Sequence, residues 1–351
     1  MKVALLYNQK PDLPERASQK NASRYQSDEF AEWDNPETID AVANALRERC
    51  DVVKIDCNPS RLQQIISTLL EEKPDICFNI TEGIGEPSRE AQIPALLDMM
   101  RLCYTASDPA TLCLTLDKAR TKEILSYYQI PTPPFHVIHT LREGKAFLTE
   151  SHQFPLIVKP LYEGSSKGVF ERSVVYSVEE LSRQLREVIE QYKQPALVEQ
   201  FLSGREFTVA LIGNGETLEV LPIIELLFEH LPKDSRKIYS YEAKWLWDDP
   251  ANPVEVFKCP APITEELADE IRSLCKRAFL ALRCRDWSRI DVRLDEQGKP
   301  FIIEVNPLPG ILPNPDEHSC FPLAARMAGM DFNALINRVL DEALKRYNLT
   351  T

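Results

Sequence analysis

Residues 301–310 read FIIEVNPLPG. A short apolar run delivers Glu304 and Asn306, and the chain then breaks at Pro307, Pro309 and Gly310. Side chains two apart in a strand share a face, so one carboxylate and one amide oxygen point the same way. Just upstream, SRIDVRLDEQGKP holds a strand at 290–294 and a glycine-bearing turn at 296–299. That hairpin brings Asp291 beside Glu304 and Asn306. Three hard oxygen ligands, with no His or Cys among them, suit Mg²⁺ carrying substrate phosphates better than zinc. The plainer alternative is an edge hairpin whose acids are simply solvated.

A chain of 351 residues suits two or three domains with a large core. Its net charge of -13 argues against a general nucleic-acid surface, though a local basic cleft can still take an anion. Nine cysteines without a CxxC pair fit reduced, mostly buried thiols in a cytoplasmic protein. The opening MKVALLYNQK reads as a first strand rather than a signal peptide, and no window approaches a membrane span. A soluble protein is expected.

From the amino terminus, strands at 2–7, 51–55 and 75–79 alternate with helices at 36–49 and 60–72, the pattern of a parallel sheet covered on both faces. Asn35 and Pro36 are a plausible cap and first turn for the helix they precede. The polar segment 8–34 is long enough to be functional or mobile. Ligands collect at the carboxyl ends of parallel strands, which makes Glu82 a site candidate, a solvated loop acid being the alternative. A helix at 89–100, a short strand at 102–105 and helices at 108–114 and 117–128 follow. The proline cluster at 130–134 then marks a passage to a second unit.

That unit alternates strands at 135–138, 154–159, 173–176 and 196–200 with a helix at 178–192. Between two of its strands, LYEGSSKG at 161–168 combines small residues with Lys167, and Lys159 stands just before it. Such a loop lets backbone amides approach an anion; an ordinary hairpin turn is the other reading. Neither a Walker pattern nor GxGxxG occurs. Paired strands at 207–212 and 219–224, an aromatic stretch KIYSYEAK at 237–244 followed by Trp245, and helices at 263–282, 321–328 and 332–347 complete the chain.

Six segments in one order resemble the ATP-grasp superfamily and, within it, the D-alanine:D-alanine ligases. They are LDKARTK (116–122), FPLIVKPLYEGSSKG (154–168), LVEQFLSGREFTV (197–209), YSYEAKW (239–245), DWSRIDVRLDEQGKPFIIEVNPLPG (286–310) and HSCFPLAARMAG (318–329). The resemblance implies a parallel α/β (Rossmann-like) domain at 1–120 and two α+β lobes, 121–213 and 214–351, that enclose ATP. It implies that Lys118 and Lys159 hold ATP phosphates, that Ser165, Ser166 and the Gly164 backbone close over them, and that Lys244 reaches the γ-phosphate. Glu199, Gln200, Phe201 and Leu202 would form the strand that meets adenine, and Glu206 would bind the ribose. Asp291, Glu304 and Asn306 would bind two Mg²⁺ ions, with Mn²⁺ an alternative, and Arg289 and the Gly310 amide would stabilise an oxyanion.

The activity so implied is an ADP-forming carboxylate–amine ligation through an acyl phosphate, with amino acids as substrates and a homodimer as the assembly. The amino-terminal determinants depart from the family. YNQKPDLPERASQ replaces a glycine-rich loop, leaving Glu15 as a loose candidate for its glutamate. Glu82 stands where a histidine is usual, and Trp245 where the family has tyrosine. Extra residues separate Gly310 from His318 and Ser319, although Ser319 keeps its place at a helix start, where it could hold an acceptor carboxylate. A nucleotide-binding scaffold without turnover is the alternative class; a dinucleotide oxidoreductase lacks its glycine fingerprint.

Overall fold

The computed structural model describes residues 1–11, 30–85, 87–228, 236, 238, 256–317 and 319–349. Glu15, Lys244, Trp245 and His318, with the stretch 239–245, lie outside the described residues.

Three sheets organise the chain. In the first, β1 (Lys2–Tyr7) is central, parallel to β2 (Asp51–Asp56) on one side and β3 (Ile76–Asn79) on the other. Val3 to Leu6 are all fully buried, as expected for a parallel strand covered on both faces. Helix α1 (Pro36–Arg47) is capped as the sequence suggests, with the Thr38 N–H donating to Asn35 Oδ1 at 2.9 Å. Helices α2 (Leu62–Glu72) and α3 (Gln92–Met100) follow in turn. The strand expected at 102–105 is reduced to a single bridge between Tyr104 and Cys77, because the chain turns away to start α4 (Pro109–Leu116) and α5 (Lys118–Tyr127).

The second sheet is antiparallel, in the order β4 (Phe135–Ile138), β7 (Ala196–Gln200), β5 (Leu156–Pro160), β6 (Val174–Val175). A helix that the sequence reading did not anticipate, α6 (Leu141–Phe147), packs with α7 (Val178–Glu187) on one face of it. Thr140 caps α6.

The third sheet holds β8 (Glu206–Ile212), β10 (Ile224–Leu226), β11 (Phe257–Lys258), β12 (Trp287–Leu294) and β13 (Pro300–Asn306), with the short β9 (Glu219–Val220) beside β8. Strand β8, which the sequence reading placed in the central lobe, belongs here. Its pairing with β12 is continuous from Ile212↔Trp287 to Glu206↔Arg293. Alternation explains the choice: Phe207, Val209 and Leu211 all face the core that α8 (Glu265–Ala281) closes with Ile271, Cys275 and Phe279. On the other side, Trp287 meets Phe78 at 6.0 Å and Phe321 at 5.6 Å. Together with α9 (Cys320–Met327) and α10 (Phe332–Tyr347), it joins this lobe to the first sheet in one core. No helix among the described residues is long and apolar enough to cross a membrane.

Candidate active site

A cavity of about 290 Å³ is lined from all three units. Every site residue named from the sequence that falls among the described residues lines it. The hairpin β12–β13 forms its floor in the expected register, Asp291 opposite Glu304 and Arg289 opposite Asn306. A bulge follows Asp291.

The floor charges are interlocked. Asp291 Oδ1 accepts from Thr208 Oγ1 at 2.7 Å and from Arg289 Nε at 3.1 Å, and Asp291 Oδ2 accepts from Arg289 Nη2 at 3.0 Å and Asn306 Nδ2 at 3.3 Å. Burial works against the Arg289 charge, but the Asp291 carboxylate outweighs it and holds the guanidinium above its ordinary range. Lys118, the first residue of α5, reaches Glu304 Oε1 at 2.8 Å and also donates to the Glu163 carbonyl. Burial raises the Glu304 carboxyl, and Lys118, then Arg289 and Lys159, more than offset this and hold it below the usual carboxylate range.

One wall is β5–β7. Glu199, 1% exposed, lies between Lys122 Nζ at 2.8 Å and Lys159 Nζ, and against the pull of burial these two lysines bring its carboxyl down to about 2. Next to it, Glu206 accepts from Arg293 Nη1 at 2.6 Å, while the Arg293 guanidinium stacks over Phe201 at 4.6 Å and Phe228 at 5.6 Å. Burial is the main influence on Glu206 and raises its carboxyl.

The 161–168 loop covers the opposite side. Ser165 and Ser166 both adopt positive φ, 50° and 59°, which turns successive backbone amides into a concave strip suited to an anion. A β-carbon at Gly164 would collide with the Glu32 carboxylate. Glu32 itself accepts from Lys167 Nζ at 2.8 Å and Arg89 Nη2 at 2.9 Å, and against burial those cations hold its carboxyl at about 2. Arg89 Nη1 also donates to the Tyr162 carbonyl at 2.7 Å, and Lys167 pairs with Glu163 at 2.7 Å.

At the end nearest the first sheet, Asn8 Oδ1 accepts from the backbone N–H groups of Glu82 and Gly83 at 3.0 and 2.9 Å, which turns the Glu82 loop toward the cavity. At the other end Ser319 Oγ donates to the Gly310 carbonyl at 3.1 Å and accepts from Leu312 N–H at 3.1 Å. Ser319 thus stands at the start of α9 with its hydroxyl turned to the 310–312 loop and not to the helix.

Sequence reasoning missed Lys122, Arg293, Glu32 and Arg89. Two of these left a signal. Lys122 is four residues after Lys118 on one helix, hence on the same face, and Arg293 alternates with Arg289 and Asp291 on one strand. Glu32 and Arg89 meet only through the tertiary fold.

Residues 124–341 match the family model described as the D-ala D-ala ligase C-terminus. An uncharacterized protein, y4sG, of Sinorhizobium fredii is 35% identical over 90% of this chain and 90% of its own. The D-alanine--D-alanine ligase of Pelotomaculum thermopropionicum is 34% identical over 88% of this chain and 91% of its own. Among solved structures, the Bacillus anthracis D-alanine--D-alanine ligase complexed with ATP superposes with a TM-score of 0.68 at 18% identity over 99% of both chains. With this cavity lined from those of the resembling segments that lie among the described residues, the chain belongs to the D-alanine:D-alanine ligase family and has its ATP-grasp fold.

Proposed function

We propose that the protein is an ATP-dependent, ADP-forming ligase that joins a carboxylate to an amine, with an amino acid on at least one side. The observation that carries this is the convergence of Arg289, Asp291, Glu304, Asn306 and Lys118 on one cavity beneath the 161–168 loop. Carboxylates and a guanidinium held this close are poorly explained by stability alone, since buried ion pairs seldom give net stabilisation.

The donor set fits Mg²⁺. Among the described residues there is no group of three His, Cys, Asp or Glu arranged for a metal. Two carboxylates and an amide oxygen on one strand pair are nevertheless the ligand class that takes Mg²⁺ together with substrate phosphates. Asp291, Glu304 and Asn306 would hold it, and Lys118 and Arg289 pair with the same two acids, Glu304 and Asp291. Bound there, the metal would offset charge on the phosphates during transfer to the carboxylate.

The chain's own residues divide the remaining work. Lys159, with Glu199 and Lys122 behind it, offers an ammonium fixed in direction. Ser165 and Ser166 present backbone amides to the phosphates, Glu206 faces the ribose, and residues 199–202 frame the adenine. Arg289 and the Gly310 amide would hold the oxyanion formed as the amine attacks, and Ser319 would orient the acceptor. The free cysteines agree with a cytoplasmic setting, and a homodimer is carried over from the resemblance.

The test is ADP release with Mg-ATP against D- and L-amino acids singly and in pairs, with Glu304→Gln as the blank. Turnover with D-alanine alone would assign the activity named for the relatives. Turnover with another pair identifies a divergent ligase. No turnover with any pair, despite ATP binding, would overturn the ligase reading.

A further inference from the structure

Lys122 is 1% exposed and does not line the cavity, yet it pairs with a residue that does. Its Nζ stands 2.8 Å from Glu199 Oε2, while the other carboxylate oxygen, Oε1, takes Lys159. Burial raises the Glu199 carboxyl, and Lys122 and then Lys159 outweigh it, so the acid is ionised between them. Burial also lowers the Lys122 ammonium, and the Glu199 carboxylate works against that. A lysine placed this deep is costly, and an apolar side chain of similar length would fill the space without the cost. Lys118, one turn earlier on α5, holds Glu304, so one helix face supplies a cation to each of two acids of the site.

Lys122 Nζ also donates to Thr132 Oγ1 at 2.9 Å, and that hydroxyl donates in turn to the Ile302 carbonyl at 3.0 Å. The Ile302 N–H closes the exchange on the Pro131 carbonyl at 2.9 Å. Residues 131–132 thus cover the outer edge of β13, the last strand of its sheet, two residues before Glu304. At the far end of the same passage the Gln200 N–H donates to the Pro134 carbonyl at 3.0 Å, and Pro133 lines the cavity. Prolines at 131, 133 and 134 fix φ along this strap. It joins β7 of one lobe to β13 of the other, with Lys122 at the crossing.

Resting on the ligase reading above, in which Lys159 meets the ATP phosphates, we propose that Lys122 is a positioning residue for that contact. By occupying Glu199 Oε2 it leaves Lys159 a single carboxylate oxygen, and the Lys159 ammonium keeps its remaining N–H groups for the nucleotide. Without Lys122 both oxygens would close on Lys159 and draw it back into the wall. Through Thr132 the same ammonium ties Lys159 to the strand of Glu304 and Asn306, which holds the phosphate and metal contacts in one register.

Calorimetric titration with a non-hydrolysable ATP analogue and with adenosine, each in the presence of Mg²⁺, tests this directly. Lys122→Met should weaken the analogue at least tenfold and adenosine less than threefold, because only the phosphates depend on Lys159. Added to Lys159→Met, it should change analogue binding by less than threefold. Thr132→Val should weaken the analogue at least threefold, and Thr132→Ser, which keeps the hydroxyl, should bind it as the parent does. Equal losses for analogue and adenosine in Lys122→Met would reduce Lys122 to a structural part and overturn the proposal, as would an unchanged analogue affinity or a loss that multiplies with that of Lys159→Met. Melting temperatures identify any variant that does not fold; if Lys122→Met is one, the Thr132 pair decides, and equal affinities in Thr132→Val and Thr132→Ser overturn the proposal. Parental analogue affinity in Lys159→Met would sink the assignment of Lys159 to the phosphates and the proposal with it. Absence of ADP release with every amino-acid pair sinks the ligase reading alone, and the binding comparison remains readable in that case.

Discussion

Lys167 Nζ lies 2.8 Å from Glu32 Oε2, a contact that fastens the 161–168 loop of the central lobe to the amino-terminal domain. Arg89 holds the same oxygen from the other side at 2.9 Å, so one carboxylate joins a loop, a helix start and the segment after β1.

Replacing Glu32 by Gln leaves two buried cations short of a partner. Removing one member of a buried ion pair costs about 3–5 kcal/mol, and Glu163 would soften that by retaining Lys167. The expected result is a lower melting temperature together with at least tenfold faster amide exchange across 161–168. A loop that exchanges as slowly in Glu32→Gln as in the parent would show that other contacts hold it.

Glu199 predicts a pH-dependent loss. Its folded carboxyl, at about 2, lies below the ordinary value, so the stabilisation is complete above about pH 4.5 and disappears as pH falls toward 2. Glu199→Gln should lower the urea midpoint strongly at pH 7, by about 3–5 kcal/mol in stability. The gap from the parent should narrow between pH 4.5 and pH 3. A gap that stays constant with pH would mean that the carboxylate charge is not what Lys122 and Lys159 recognise.

Glu90 predicts the opposite slope. The unfolded chain releases this proton near the ordinary carboxylate value of 4.5, whereas the folded chain keeps it to about 7. Between those values the folded state binds more protons, and stability falls as pH rises. Asp34, also pushed up to about 7 by burial, acts in the same direction. Melting temperatures taken from pH 5 to 8 should therefore decline, and Glu90→Gln should flatten part of that decline. An unchanged slope in the variant would remove Glu90 as its source.

The floor of the site was legible because strand alternation and a short hairpin are local: Asp291, Glu304 and Asn306 needed only a period of two and a turn. The assignment of β8 was not. Its own sequence says that one face is apolar, and only the partner strand β12 decides which sheet it enters. The Glu32–Arg89 pair lay further out of reach, since its members are 57 residues apart and no periodicity links them. Charge composition gave no hint of it, because each acid looks like a solvated one until burial is known.

Arg289 carries a prediction with two separable readouts. If it holds the oxyanion, Arg289→Ala should lower the rate of ADP release by roughly two orders of magnitude, the usual effect of losing one such donor. Arg289→Lys should recover little, since an ammonium cannot reproduce the two-pronged contact that Nε and Nη2 make with Asp291. The guanidinium also competes with any cation for Asp291, at 3.0 Å. Its removal should therefore leave the Mg²⁺ concentration for half-maximal activity unchanged or lower it. A tenfold rise in that concentration would assign Arg289 a different part, that of positioning Asp291, and the oxyanion would then rest on the Gly310 amide.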